Sequence, residues 1–485
     1  MRLSYLACSF GLVIMYFGIV LLLPVVAALC FGEFRSVLPF LIASGMAFLL
    51  SFIFKKVKGA DKIQSLNDIK KSEGLCVVTC SWLFAGFLAA IPYLFFGITP
   101  LNAIFEAASG ITTTGATTFT HFDYPKTLFF WRSFTQWLGG MGIIVLFIAI
   151  LPQFAIAGRQ LFFAEAPGPT EEKFTPRIKN TAAALWKVYA GLTVIEIILL
   201  KVSGMSGFEA VCNTLSSISG GGLSPNAHSM LGFSNTILWI ITFFMFFAGA
   251  SFNLQYRAWT KFNPLILFKN EEFRVYFGIV TVLSLALALS LFVNMHYNAE
   301  KSLTDAFFGI SSLISTTGFC SEDFAKWDYS SKIILFATML CGSCASSAGG
   351  GVKITRWLLI FKIMKQELIK ILHPKAVFEV KIGSYTVSKE IIYQTLMFIS
   401  FYFAILGISA FLVAMIEKNT ITALTGVVSS VGNIGPGFGE IGPFGDFAHL
   451  HPVTKIIFII DMYVGRLELI PFLVFLQKDF WTVKN

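Results

Sequence analysis

Charge is what this sequence has least of. Acidic and basic side chains together make up 13% of its 485 residues against 56% hydrophobic ones, and mean hydropathy is +0.75. That balance excludes an ordinary soluble domain, which carries about 25% charged residues. Between Gly204 and Gln255 there is no Lys or Arg at all. Histidine is equally sparse: five of the six (His121, His228, His296, His449, His451) fall in or beside the loops of one side. No His-Glu-x-x-His spacing and no Ser/His/Asp grouping can be placed, so nothing supports a membrane enzyme. Cysteine offers no framework either. Cys8, Cys30, Cys76, Cys80, Cys212 and Cys320 are scattered in apolar context, and Cys341 and Cys344 form a C-x-x-C without βαβ surroundings, so core filling is expected and disulfides are not. No A-x-A cleavage site follows the first apolar run, which is longer than the about 7–15 residues of a signal-peptide core.

What the sequence has in abundance is long apolar runs, each near the roughly 20 helical residues that cross about 30 Å of hydrocarbon. Ten are expected to span: 5–29, 37–54, 76–96, 127–151, 182–200, 237–256, 275–295, 333–361, 391–416 and 453–476. The connections between them alternate in charge. One side holds Lys55, Lys56, Lys58, Lys62, Lys70 and Lys71, then Arg159, Lys173, Arg177 and Lys179, then Arg257, Lys261, Lys269 and Arg274, then Lys362, Lys365, Lys370, Lys375, Lys381 and Lys389. The other carries Arg35, Lys126, Lys301, Lys326 and Lys418. The positive-inside rule then puts both termini in the cytoplasm. The net charge of +9 is accounted for by topology, with the lipid bilayer as surroundings and no nucleic acid as partner.

The outward connections after the third, fifth, seventh and ninth runs align with one another without gaps. With Gly115, Gly222, Gly318 and Gly435 as common origin, the residue six before is Ser109, Ser216, Ser312 and Ser429. Four before comes Ile111, Ile218, Ile314 or Val431, and twelve before stands Ala103, Ala210, Ala306 or Ala423. Thirteen before are Asn102, Glu209, Asp305 and Thr422, residues suited to a helix start. Each segment therefore reads as a helix of about nine or ten residues, capped near those positions, followed by an extended glycine-containing strand. That is the pattern of a pore loop.

A cation crossing a bilayer must exchange its water shell for fixed oxygens, which carbonyls turned toward an axis supply. The strands expected to do so are Thr112-Thr113-Thr114-Gly115, Ser219-Gly220-Gly221-Gly222, Ser315-Thr316-Thr317-Gly318 and Gly432-Asn433-Ile434-Gly435. Irregular backbone at membrane depth is tolerated only inside protein or along a wet pathway, and helix C-termini aimed inward favour cations over anions. Four such units in one chain can surround one axis. The expected fold is thus an all-α polytopic membrane protein: four pseudo-symmetric helix–pore loop–helix repeats around one central pore, plus two extra N-terminal transmembrane helices. The divisions are 1–71 for the N-terminal helices and basic loop, then repeats at 72–180, 181–272, 273–386 and 387–485.

These residues carry a family resemblance over nearly the whole chain. With the four loops go Trp137-Leu138-Gly139-Gly140-Met141-Gly142, Phe252-Asn253-Leu254 with Tyr256-Arg257, Ser346-Ser347-Ala348-Gly349-Gly350 with Lys353, Gly432-Asn433-Ile434-Gly435-Pro436-Gly437 and Gly465-Arg466-Leu467-Glu468. Together they resemble the TrkH branch of the Trk/Ktr/HKT potassium transporters. The resemblance implies potassium uptake across a bacterial inner membrane, with rubidium and caesium as analogues and potassium as substrate, no bound cofactor, a homodimer, and a separate TrkA-like cytoplasmic subunit on which any nucleotide resides. It implies potassium selectivity because a serine at the first-loop glycine is associated with sodium permeation, and here that residue is Gly115. The second loop departs from Ser-Thr-Gly-Gly in having Gly220, a change expected to loosen that strand. Symport with protons or sodium, or a less selective cation pathway, is the alternative activity. A carrier for another solute is disfavoured, because inverted repeats do not match four loops entering from one side.

Two further features bear on control. The eighth run is interrupted by Gly342-Ser343-Cys344-Ala345-Ser346-Ser347-Ala348-Gly349-Gly350-Gly351, a stretch of poor helix propensity. It reads either as an intramembrane gate hinged at Gly349, Gly350 and Gly351, with Gly342, Ser343, Ser346 and Ser347, or as a small-residue packing face. Lys353 is preceded by Val352, not glycine, so no phosphate-binding loop is indicated. Arg466 lies in the last apolar run, where charge is expensive. By the resemblance it faces the pore as a barrier to potassium; the alternative is a pairing with Glu468 or Asp461.

Overall fold

The computed structural model describes residues 2–57, 71–142, 178–373, 379–383 and 385–467. The later parts of the fourth and tenth apolar runs, Glu468, and the basic residues Lys58, Lys62, Lys70, Arg159, Lys173, Arg177 and Lys375 lie outside them. Helices make up most of the described structure. The one sheet among the described residues is a two-stranded ribbon, β1 (Lys381–Ile382) against β2 (Tyr385–Thr386).

The N-terminal pair comes first. α1 (Leu3–Val20) runs on into α2 (Leu23–Phe31), and α3 (Val37–Lys55) returns alongside. Apolar contact gains little over lipid, so such helices associate through close packing and hydrogen bonds. Here Gly18 lets the backbones approach until a Cβ would meet Ala47 Cβ at 3.0 Å. Ser44 Oγ donates to Gly18 O (2.8 Å) and Ser51 Oγ to Gly11 O (2.6 Å).

Four units follow, each a helix, a short helix and a second helix. They are α4 (Lys71–Leu94), α5 (Pro100–Ile111) and α6 (Lys126–Gly140); α7 (Ile178–Val202), α8 (Gly207–Ser219) and α9 (Asn235–Ala248), with α10 (Phe252–Thr260) and α11 (Leu265–Lys269); α12 (Glu271–Asn294), α13 (Ala299–Ile314) and α14 (Tyr329–Met339), continuing in α15 (Ile354–Leu372); and α16 (Lys389–Glu417), α17 (Thr420–Gly432) and α18 (Pro452–Arg466). Each short helix packs within its own unit and also on the second helix of the unit before: α8 on α6, α13 on α9, α17 on α14, and α5 back on α18. The four units therefore close into a ring in chain order, as expected of a pseudo-fourfold membrane protein.

Six described helices are long and apolar enough to cross a bilayer: Ser4–Phe31, Phe34–Lys55, Ser72–Leu94, Ala182–Val202, Glu271–Asn294 and Lys389–Glu417. The sixth apolar run is not the continuous span expected of 237–256. It breaks after Ala248 and turns by 101° into α10, because Ala248-Gly249-Ala250-Ser251 has no bulky side chain to hold the helix against the polar contacts available at the break. The outer faces are greasy, with Val282, Leu289, Phe411 and Met415 exposed, while Thr113, Ser216, Ser312 and Asn433 are buried. That polarity is inverted relative to a water-soluble fold and suits lipid outside and polar contacts within.

Candidate functional site

The four short helices end alike. In each, the residue before the matched glycine donates its N–H to the carbonyl of the repeated serine: Thr114 to Ser109 (2.8 Å), Gly221 to Ser216 (2.9 Å), Thr317 to Ser312 (2.8 Å) and Ile434 to Ser429 (2.9 Å). The preceding residue donates three back: Thr113 to Gly110, Gly220 to Ser217, Thr316 to Leu313 and Asn433 to Ser430. This is a Schellman ending, which requires a left-handed residue just past the helix. That residue is Thr113 (φ 57°), Gly220 (67°), Thr316 (59°) or Asn433 (53°). The departure at Gly220 therefore does not give the second strand a different shape; it supplies the residue that the motif prefers. The β-branched threonines at 113 and 316 are the strained members. In two of the four repeats the repeated serine also ties helix to rising strand: Ser216 Oγ donates to Leu223 O (2.6 Å) and Ser312 Oγ to Phe319 O (2.7 Å), whereas Ser109 Oγ and Ser429 Oγ make no such bond among the described residues.

The helix starts differ from the sequence expectation. The helices run 12, 13, 16 and 13 residues, and their N-caps are Thr99, Ser206, Asn298 and Asn419. Asn102, Glu209 and Thr422 lie in the first turn, three residues past the cap, and Asp305 lies a further turn in. Ser206 caps its helix, with Glu209 N–H donating to Ser206 Oγ at 3.3 Å and Ser206 Oγ donating to Glu209 Oε2 at 2.6 Å.

Beyond the helix ends the strands converge. All four glycines have positive φ: Gly115 86°, Gly222 72°, Gly318 78° and Gly435 109°. A Cβ on Gly115 would strike Gly221 O, one on Gly222 would strike Thr317 O, one on Gly318 would strike Ile434 O, and one on Gly435 would strike Thr114 O, all below 3.0 Å. Each glycine thus abuts the carbonyl preceding the glycine of an adjacent repeat, and the contacts close a ring. Among the described residues, no hydrogen bond reaches the carbonyls of Thr112, Thr113, Thr114, Thr316, Thr317, Asn433 or Ile434, whereas Gly221 O accepts from Gln136 Nε2. A cavity of about 60 Å³ opens against the ring, lined by Gly115, Gly222, Gly318 and Gly435 with Thr117, Asn226 and Pro436.

The interrupted eighth run packs directly under this ring. Helix α14 stops at Met339, α15 starts at Ile354, and the loop between them reaches the strands: Gly350 N–H donates to Thr316 Oγ1 (2.7 Å). A Cβ on Gly349 would meet Ser315 O at 2.6 Å, and one on Gly350 would meet Gly432 O at 2.7 Å. Of the three glycines, only Gly351 is left-handed (φ 69°); Gly349 and Gly350 serve close approach. The break between α9 and α10 grips the loop, because a broken helix leaves backbone groups free to bond elsewhere. Cys344 N–H donates to Gly249 O (2.9 Å), Ala348 N–H to Ala248 O (3.2 Å), and Phe252 N–H to Ser346 O (2.9 Å). Glu272 accepts from Ala345 N–H (2.7 Å) and from Thr355 Oγ1. Lys353 Nζ donates to Ser343 Oγ (3.3 Å) and to Gly349 O, and Ser343 Oγ lies 2.7 Å from Ser347 Oγ.

Arg466 closes α18 against the same loop. Its Nη1 donates to Ala348 O (2.9 Å), and its Nη2 to Gly139 O (2.6 Å) and Gly140 O (2.8 Å). Asp461, one of the carboxylates considered for it, accepts from Ser409 Oγ (3.0 Å); Glu468 is outside the described residues. Sequence reasoning missed three contributors: Glu272, Gln136, and the Glu106–Arg132 pair. Arg132 Nε lies 3.3 Å from Glu106 Oε2, with both side chains buried, and Thr117 Oγ1 donates to Glu106 Oε1 (2.6 Å), securing the strand after Gly115. Charge inside an apolar run was the signal available for Arg132; Glu106 lies between runs, in α5.

Comparison with known proteins accords with this geometry. The model of the TrkH family, described as cation transport protein, matches residues 43–482. Trk system potassium uptake protein TrkH of Salmonella typhimurium is 34% identical over 97% of this chain and 98% of its own length. Trk system potassium uptake protein TrkI of Halomonas elongata is 32% identical over 85% of each. The crystal structure of the potassium transporter TrkH from Vibrio parahaemolyticus superposes with a TM-score of 0.87 at 29% identity, covering 99% of this chain and 100% of that one.

Proposed function

The chain belongs to the TrkH family of cation transport proteins, a membrane transporter family and not an enzyme family, and from that premise we propose that it takes up potassium through the ring of four strands. The observation that carries the reading is the set of strand carbonyls that, among the described residues, have no protein donor, gathered from the first, third and fourth repeats around one axis. A buried carbonyl lacking a donor costs on the order of 1–3 kcal/mol, and a dehydrating cation is the partner whose chemistry removes that cost. The oxygens belong to the stretches from Thr112 to Gly115, Ser219 to Gly222, Ser315 to Gly318 and Gly432 to Gly435. The Schellman endings set carbonyl direction, and the glycines let neighbouring strands close to within contact.

The loop from Gly342 to Gly351 is the gate in this reading. It fills the space beneath the ring and is held by hydrogen bonds, from the backbone of the α9–α10 break and from the side chains of Glu272, Thr316, Lys353 and Arg466. Arg466 places a fixed positive charge beside the route, raising the barrier to a cation, and its bond to Ala348 O couples that barrier to the loop. A TrkA-like cytoplasmic subunit that binds nucleotide would move the loop through α15, whose outer part bears Lys362, Lys365 and Lys370. The assembly is taken to be a homodimer in a bacterial inner membrane with both termini cytoplasmic.

The test is rubidium uptake, and growth on low potassium, by a bacterium lacking its own potassium uptake systems, supplied with this protein and its regulatory subunit. Uptake and rescue are expected. Intact, inserted protein that moves neither potassium nor rubidium would refute the reading.

A further inference from the structure

Three of the four strands carry side chains that brace them. In the first, Thr112 Oγ1 and Thr114 Oγ1 lie 2.8 Å apart. In the third, Ser315 Oγ and Thr317 Oγ1 lie 2.7 Å apart. In the fourth, Asn433 Nδ2 donates to Met462 O and to Thr114 Oγ1, both at 2.9 Å. The second strand has three glycines in succession after Ser219, and Ser219 Oγ is turned back onto Ser216 O (3.0 Å). Consecutive glycines are the least constrained backbone a chain can have, yet this strand keeps its place in the ring.

The geometry points to Gln136, on α6 of the preceding repeat, as the positioning residue that holds the second strand and thereby sets ion discrimination there. Gln136 is fully buried. Its Nε2 donates to Gly221 O (2.6 Å) and its Oε1 accepts from Leu223 N–H (3.1 Å), so one amide spans the backbone on either side of Gly222. A primary amide offers a donor and an acceptor side by side from one planar group. Gly221 lies outside the left-handed region, so its backbone accepts an L side chain. What stands in the way of a Cβ is Gln136 itself, with Nε2 and Oε1 both 2.7 Å from that position. The glutamine therefore occupies the space that the side chains of Thr114 and Thr317 fill in the first and third repeats, and bracing is supplied from a neighbouring repeat. Gly221 O is also the carbonyl that abuts Gly115, so Gln136 acts on the ring itself.

This inference rests on the strands being the ion filter, and the experiment separates the two. Rubidium uptake and its ratio to sodium uptake are measured per inserted molecule for the unsubstituted protein, Gln136→Leu, Gln136→Ala, and Gln136→Ala combined with Gly221→Thr. Both single variants should lose about tenfold in rubidium-over-sodium preference, the size expected of two hydrogen bonds of ordinary strength. The double variant, which rebuilds the threonine found in the first and third repeats, should recover most of it. If Gln136→Leu fails to insert, the comparison of Gln136→Ala with the double variant decides. Single variants that keep the preference, fall only in abundance, or are not improved by Gly221→Thr would overturn the assignment. An unsubstituted protein without rubidium uptake would instead remove the filter reading.

Discussion

Gly115→Ser is the perturbation whose consequence the ring geometry specifies most sharply. Two costs combine. The residue has φ 86°, where an L side chain loses roughly 1–2 kcal/mol. The new Cβ would also strike Gly221 O and lie 3.7 Å from Gly435 Cα, so the carbonyl must withdraw by about 1 Å to reach ordinary contact. Holding that carbonyl in place are the Gln136 bond and the Schellman ending of α8, so the strain divides between the first two strands. A total of about 2–3 kcal/mol, applied to the carbonyls of the proposed filter, predicts a fall in rubidium-over-sodium preference of roughly 30- to 150-fold. The assay is ion uptake at matched membrane abundance, with Gly220→Thr as the comparison. At Gly220 the φ is 67°, as at Thr113 and Thr316, and a Cβ meets nothing closer than Ser315 O at 3.0 Å. Gly220→Thr should therefore keep its preference within about threefold while losing some stability. Equal behaviour of the two variants, or a Gly115→Ser protein that stays selective, would refute the argument that ring contact and not left-handed strain governs selectivity.

Arg466→Ala removes the bonds to Ala348, Gly139 and Gly140 together with the fixed charge, so rubidium uptake per molecule should rise severalfold; unchanged uptake at normal abundance would deny Arg466 its place beside the route. Glu106→Gln leaves Arg132 buried beside a neutral side chain, which costs about 3–5 kcal/mol and should lower the detergent-solution melting temperature measurably. Replacing both, Glu106→Met with Arg132→Leu, should recover much of that loss, and a double variant no more stable than the single one would show that the pair is not the cause.

Much of this protein was legible before any coordinate. Apolar runs, alternating basic loops and four gapless repeats depend on local composition and spacing, and lipid imposes their consequences on each segment separately. The same holds for the Ser-to-Gly interval, because a Schellman ending is built from neighbours in the chain. The starts of the short helices were less legible: Asn102, Glu209 and Thr422 are good first-turn residues as well as good caps, and composition does not separate the two. Helix α9 ends at Ala248 although its run reads on to Tyr256, because the carbonyls freed there are taken up by Cys344 and Ala348, almost a hundred residues away.

Sequence alone thus determined the kind of solvent, the number of repeats and which strands meet an axis. Tertiary structure decided which repeat supports which. Gln136 bracing Gly221, Glu272 holding Ala345 and Arg466 holding Ala348 all cross between repeats or distant segments, and such contacts exist only once the ring has closed. A side chain's identity states what it can bond; the closed ring states what is within reach.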